Sequence, residues 1–213
     1  FIQVRLFESG SNCDLVYRPL LAFPWLRFKL RIIAGEHRGL RLTTPKGKSM
    51  RPTAERVREA IFNIIALDLT GLLVLDLFAG TGAMGLEALS RGAGYVVMGD
   101  QHPGAVKLIN RNLAACGNPQ HAKFFRLDLR RGLKGLIRRG YRFDLVFLDP
   151  PYGRGLSQRC LEQLGKGTLL NATATVVSEH AIEENLTSTY GCLQRQNMRS
   201  YGGTAVSFYL RGE

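Results

Sequence analysis

The chain has 213 residues, with 29 lysines and arginines against 17 aspartates and glutamates, a formal charge of +12. That length suits one domain, or one with a small appendage, and it is long enough to bury a core. Apolar content of 45% and charged content of 22% exclude bulk disorder, collagen and coiled coil.

Residues 1–29 share no pattern with the rest of the chain and read as an N-terminal extension, a targeting segment or upstream sequence not normally translated. Residues 30–52 then read as a small basic β-hairpin, with glycine punctuation and an exit at Pro45 and Gly47. Residues 53–213 form the main domain. A helix is predicted over Thr53–Ile65, capped by Thr53, with Glu55 in its first turn and Val57, Ala60, Ile61, Ile64 and Ile65 on its apolar face. From Leu72 the pattern alternates. LLVLDLF is a strand buried on both faces. MGLEALSRG is a helix closed by Gly92, and YVVMGD is a second strand. A helix over Pro103–Cys116 leads to the strand KFFRLD and a basic helix near Leu133–Arg139. FDLVFLD is the fourth strand, a helix covers Leu156–Leu164, and TVVSEH is the fifth strand. The tail CLQRQNMRSYGGTAVSFYL holds two extended runs about Gly202-Gly203, a hairpin. The fold class is therefore α/β, a mainly parallel sheet with a C-terminal antiparallel hairpin and a small N-terminal β-hairpin.

No run approaches the roughly 20 apolar residues of a membrane span, so no membrane partner is expected. The four cysteines, Cys13, Cys116, Cys160 and Cys192, are scattered, which fits neither a disulfide framework nor a zinc knuckle and suits a cytoplasmic protein. The four histidines have no ligand-like spacing, and no metal is expected. The positive charge clusters. Arg31 to Arg58 holds eight basic residues against Glu36 and Glu55, and Arg126 to Arg142 holds seven against Asp128. Two such clusters look like a nucleic-acid footprint.

The densest signal is VLDLFAGTGAMG, where Gly80, Gly82 and Gly85 form G-x-G-x-x-G between a strand and a helix. Alone it fits a dinucleotide as well as a nucleoside cofactor. Asp76 discriminates, because a carboxylate there repels a pyrophosphate and favours the cationic amino group of S-adenosylmethionine. Asp100, 20 residues after Gly80, stands where an acid binds ribose hydroxyls, and Asp128 ends the third strand within reach of an adenine amino group. The expected cofactor set is Asp76, Phe78, Ala79, Gly80, Gly82, Asp100 and Asp128. The competing reading is that strand-end aspartates cap the next helices.

Asp149-Pro150-Pro151-Tyr152 ends the fourth strand. An exocyclic base amine is a poor nucleophile, because its lone pair is delocalised into the ring. The Asp149 carboxylate and the Pro150 carbonyl can accept its two N–H bonds and draw the nitrogen towards a tetrahedral shape. The prolines, Pro150 and Pro151, stiffen the loop, and Tyr152 offers a flat face for stacking a base. A rigid Pro-Pro turn without chemistry is the alternative.

Four blocks, RIIAGEHRGLRL, RPTAERVREAIFNII, VLDLFAGTGAMGLEALSRGA and FDLVFLDPPY, together resemble the RsmD family in order and spacing, from about Arg31 to Tyr209. Those are bacterial methyltransferases acting on N2 of a guanine in 16S ribosomal RNA. The resemblance implies a Rossmann-like methyltransferase domain, S-adenosylmethionine as donor, an RNA-contacting hairpin, and action on the assembled or assembling small subunit. It places Asp76, Gly80 and Gly82 in the methionine-side loop, Asp100 as the ribose acid and Asp149 to Tyr152 as the catalytic motif. Arg51 and Arg56 match basic positions near RNA, and Arg38 and Arg41 of the hairpin join them. Two positions depart from the family: His102 replaces a second acid after Asp100, and Leu30 stands where the family begins with Met. A monomer is expected. Against this reading stand a DNA methyltransferase acting on adenine N6 or cytosine N4, which lacks room here for a target-recognition domain, and a non-catalytic RNA-binding assembly factor, against which Asp149 and Tyr152 argue. An NAD-dependent oxidoreductase is disfavoured by Asp76.

Overall fold

The computed structural model describes residues 30–45, 52–65, 68–117, 119–128 and 132–212, and from Leu73 onward its strands and helices alternate as the pattern predicts. Five strands run parallel: β1 (Leu73–Leu77), β2 (Tyr95–Asp100), β3 (Ala122–Arg126), β4 (Phe143–Leu148) and β5 (Leu170–Ala181). Three antiparallel strands complete the sheet, β6 (Thr189–Tyr190), β7 (Leu193–Tyr201) and β8 (Thr204–Arg211). The sheet order is β3-β2-β1-β4-β5-β8-β7-β6. The tail hairpin turns at Gly202-Gly203, with Tyr201 facing Thr204. It inserts β8 against β5 and leaves β7 outside it.

The helices are α1 (Pro52–Ile65), α2 (Ala83–Ser90), α3 (Pro103–Ala115), α4 (Lys134–Ile137) and α5 (Leu156–Leu164). Successive strand residues point to opposite faces. In β4, Leu145 and Phe147 join one core with Phe62, Leu86 and Ile109 from α1, α2 and α3. Val146 and Leu148 join the other, with Leu136 of α4 and Leu161 of α5. Strands covered on both faces are largely apolar, which is why β1 and β4 read as hydrophobic runs broken only by Asp76 and Asp144.

Some elements differ from their sequence reading. α1 begins at Pro52, one residue before Thr53, and proline costs nothing at a position whose N–H has no helical acceptor. Ile64, expected on the apolar face, is exposed, whereas Arg58 is buried at 4% exposure. The basic helix shrinks to the four residues of α4, and β5 begins five residues earlier than Thr175.

The N-terminal hairpin is minimal. Arg31 and Arg41 form one antiparallel bridge, flanked by bonds from the Ile32 N–H to the Leu40 carbonyl (3.0 Å) and from the Leu42 N–H to the Leu30 carbonyl (2.8 Å). So few bonds cannot stabilise a free hairpin. It is held instead by Glu87 of α2, whose fully buried carboxylate accepts the Ile33 and Ala34 N–H groups at 2.7 and 3.0 Å. The same carboxylate accepts Arg91 Nε–H at 2.9 Å and lies 3.8 Å from Arg58 Nε. A Cβ on Gly35 would sit 1.7 Å from the Ser90 carbonyl oxygen, so only glycine lets this turn meet α2.

Candidate active site

The strand order reverses direction at β1 and β4, and a crevice opens beyond their carboxyl ends. Asp76, Asp100, Asp149 and Glu179 all stand within two residues of the ends of adjacent strands there.

On one side lies the glycine-rich loop. Asp76 is buried, and its Oδ2 accepts the Gly85 N–H at 2.9 Å. Burial, reinforced by the Asp100 carboxylate and only partly offset by that N–H, raises its pKa to about 7. Gly85 is the close-packing glycine: a Cβ there would lie 2.9 Å from both Met98 Cε and Val96 Cγ1. Gly82 caps α2 in the left-handed region at φ 79°. Phe78 is the one non-glycine residue with positive φ (65°) among the described residues, strain of the kind that concentrates at functional loops. Ala79 beside it is buried and donates its N–H to the Gly99 carbonyl at 3.1 Å.

Asp100 uses both carboxylate oxygens on backbone, accepting the Gly80 N–H at 2.9 Å and the His102 N–H at 2.7 Å. The His102 ring then caps α3, its Nδ1 accepting the Gly104 N–H at 3.1 Å. The residue that departs from the family pattern thus has a local structural use. Asp128 lines an open cleft of about 810 Å³ with Gln101, His102 and Lys134. A Cβ on Gly80 would have only the Phe78 carbonyl oxygen near it, at 3.9 Å, so space is open above the loop. Open backbone, a buried acid and a polar cleft alongside fit a nucleoside carrying a cationic amino-acid tail.

On the other side is the Asp149 loop. The Asp149 N–H reaches towards the Leu77 carbonyl at 3.5 Å, which sets this loop directly beside the end of β1. Its side chain reaches solvent, yet it sits in a concavity crowded with protein atoms. That desolvation, followed by repulsion from Glu179 and Asp76, lifts its pKa well above the usual carboxylate range. Pro150 is buried and Pro151 exposed. The Tyr152 ring is 43% exposed, while its hydroxyl donates to Glu179 Oε1 at 3.0 Å and meets Thr204 Oγ1 at 3.0 Å. Burial pushes that phenol up to about 12, so it stays a donor. Glu184 clamps the far end of the loop, accepting the Gly153 N–H and the Ser157 hydroxyl, each at 3.0 Å.

Arg38 and Arg41 are exposed on the hairpin and Arg56 is exposed on α1; Arg51 lies outside the described residues. Four contributors escaped the sequence reading: Glu179, Glu184, Arg58 and Asn112. Asn112 of α3 ties the Thr43 backbone to the Thr81 carbonyl of the glycine loop. Glu179 left a trace, a carboxylate at the end of the apolar run TVVSEH. The others left none, because their partners lie 27 or more residues away.

A family model described as conserved hypothetical protein 95 matches residues 30–210. The Bacillus subtilis protein YlbH is 36% identical over 182 residues, covering 85% of this chain and 99% of its own length. Ribosomal RNA small subunit methyltransferase D of Escherichia coli K12 is 32% identical over 185 residues, covering 86% of this chain and 90% of its own. The solved structure of Escherichia coli yhhF superposes with a TM-score of 0.73 at 30% identity, covering 86% of this chain and 98% of that one.

Proposed function

This chain belongs to the RsmD family of methyltransferases, and from that premise we propose that it methylates the exocyclic N2 of a guanine in 16S ribosomal RNA, with S-adenosylmethionine as donor. The observation that carries this reading is the juxtaposition at the ends of β1 and β4. Asp76 pairs with Phe147 and Leu77 with Leu148, so the glycine loop and the Asp149 loop leave the sheet side by side.

When bound, S-adenosylmethionine supplies an electrophilic methyl group on a sulfonium. The chain's own residues do the rest. Asp76, with Phe78 to Gly82, is assigned to the amino-acid end of the donor, and Asp100 and Asp128 to its nucleoside. A buried carboxylate with a pKa near 7 favours a cationic partner once deprotonated. Asp149 and the Pro150 carbonyl are assigned to the two amine N–H groups, which holds the nitrogen lone pair in line with the methyl. The raised pKa of Asp149 suits it to take the proton that the amine releases. The exposed face of Tyr152 is assigned to stacking, its hydroxyl tied at the rim. Nothing in this chemistry calls for a metal.

Arg38, Arg41, Arg51 and Arg56 are assigned to RNA phosphates, in the small subunit or its assembly intermediate. The protein is proposed to act as a cytoplasmic monomer. The test is methyl transfer from labelled S-adenosylmethionine to unmodified 30S subunits, free 16S RNA and duplex DNA, with nucleoside mass spectrometry of the products. N2-methylguanosine from subunit or ribosomal RNA is expected. Methylated adenine or cytosine from DNA, or cofactor binding without transfer to any substrate, would overturn the proposal.

A further inference from the structure

We propose that Glu179 makes the site read guanine, by accepting the ring N1–H that lies beside the reacting amine. This inference rests on the guanine-N2 reading above. Leu148 of β4 pairs with Ser178 of β5, so Asp149 and Glu179 are the next residues on two parallel neighbours. Their carboxylates line one cavity of about 100 Å³, with Phe147 and Val177 among its apolar walls.

Glu179 is half-buried, and only its Oε1 is engaged, by the Tyr152 hydroxyl. Among the described residues no donor reaches its Oε2 or the Asp149 carboxylate. Arg58 lines the same cavity, and its buried Nε–H has no hydrogen-bond acceptor. The cavity is therefore lined by two acidic residues whose carboxylates keep unmet acceptor capacity, while the Arg58 Nε beside it lies 3.8 Å from the Glu87 carboxylate.

That pattern complements one base edge. Guanine carries N2–H₂, then N1–H, then the O6 acceptor. Adenine and cytosine carry a ring-nitrogen lone pair next to the exocyclic amine. A second carboxylate forms a charge-assisted hydrogen bond with an N–H at that position and repels a lone pair there. It also separates this site from one that methylates adenine N6 or cytosine N4 through the same Asp-Pro-Pro-Tyr motif. Burial raises the pKa of both carboxyls, and the neighbouring Glu179 raises that of Asp149 further; a donor-rich edge relieves that repulsion.

The experiment uses RNA in which the methylated guanine, once mapped, is replaced by 2-aminopurine. That base keeps the N2 amine but has a lone pair at N1. The wild-type enzyme is expected to prefer guanine by roughly 100-fold or more in kcat/KM. Glu179→Gln, whose amide can donate to a lone pair, should shrink that preference at least roughly tenfold with unchanged affinity for S-adenosylmethionine. Thr204→Val, which loosens Tyr152 and leaves the carboxylate in place, should keep it. Nearly equal use of the two bases by the wild type would overturn the proposal, and that comparison needs no variant to fold. So would an undiminished preference in Glu179→Gln, or an equal loss in Thr204→Val. Failure to find any N2-methylguanosine is a separate result, and it sinks the parent reading instead.

Discussion

The two sides of the crevice use the same residue type in opposite ways. On the glycine-loop side, Asp76 and Asp100 accept backbone N–H groups from Gly85, Gly80 and His102. On the other side, Asp149 and Glu179 accept no backbone N–H among the described residues, and Glu179 accepts only a phenol. The first pair builds a wall, using its charge to shape the glycine loop. The second pair keeps its acceptor oxygens free of protein donors at the edge of solvent, where an incoming donor-rich group can take them up.

The sharpest way to break this contrast is Asp149→Ala. It should lower kcat about 10³-fold or more while the dissociation constant for S-adenosylmethionine stays nearly unchanged. Calorimetric binding beside turnover separates the two, and joint loss of both would merge the two sides into one. Asp76→Ala should do the reverse in kind. It orphans the buried Gly85 N–H, so it should cost about 1–3 kcal/mol in chemical denaturation as well as weakening the cofactor.

A titration sharpens the same point. The pKa of Asp76 is about 7 in the folded chain against an ordinary 3.8. The native state therefore holds a proton that the unfolded chain has released, and this contribution to stability is present below pH 4 and is lost as pH rises to about 7. Unfolding free energy should fall across that window, and Asp76→Asn should flatten the fall. On the proposed assignment of Asp76, cofactor affinity should instead rise as pH rises through about 7, because the cationic group favours the deprotonated acid. The smallest effect belongs to neither side. Arg38→Ala and Arg41→Ala should each reduce the salt dependence of RNA binding by about one unit of slope, read by filter binding across salt concentrations.

Much of the site was legible because it is local. Asp76, Gly80, Gly82 and Asp149 lie in two short strings whose spacing to a strand end is visible in one dimension. Asp100 was legible too, although its observed partners are backbone groups. His102 read as a lost acid, and folding turned it into a helix cap. Arg58 read as one more basic residue of an RNA footprint. In the fold it is buried against Glu87, a residue that a hydropathy reading places on an ordinary helix surface. Both charges can leave water only because each finds the other, together with the hairpin backbone.

Alternating apolar strands, amphipathic helices and glycine turns determined by themselves that this chain folds as a mainly parallel α/β sheet with two loops at its strand ends. Those features depend on contacts within a few residues, and sequence order preserves them. Tertiary structure alone decided that β8 enters beside β5, that Glu87 anchors the hairpin and that Glu179 stands beside Asp149. Each of these depends on strand register or on burying a charge against a partner distant in the chain. A charge's environment is a property of three-dimensional packing, and no local pattern encodes it.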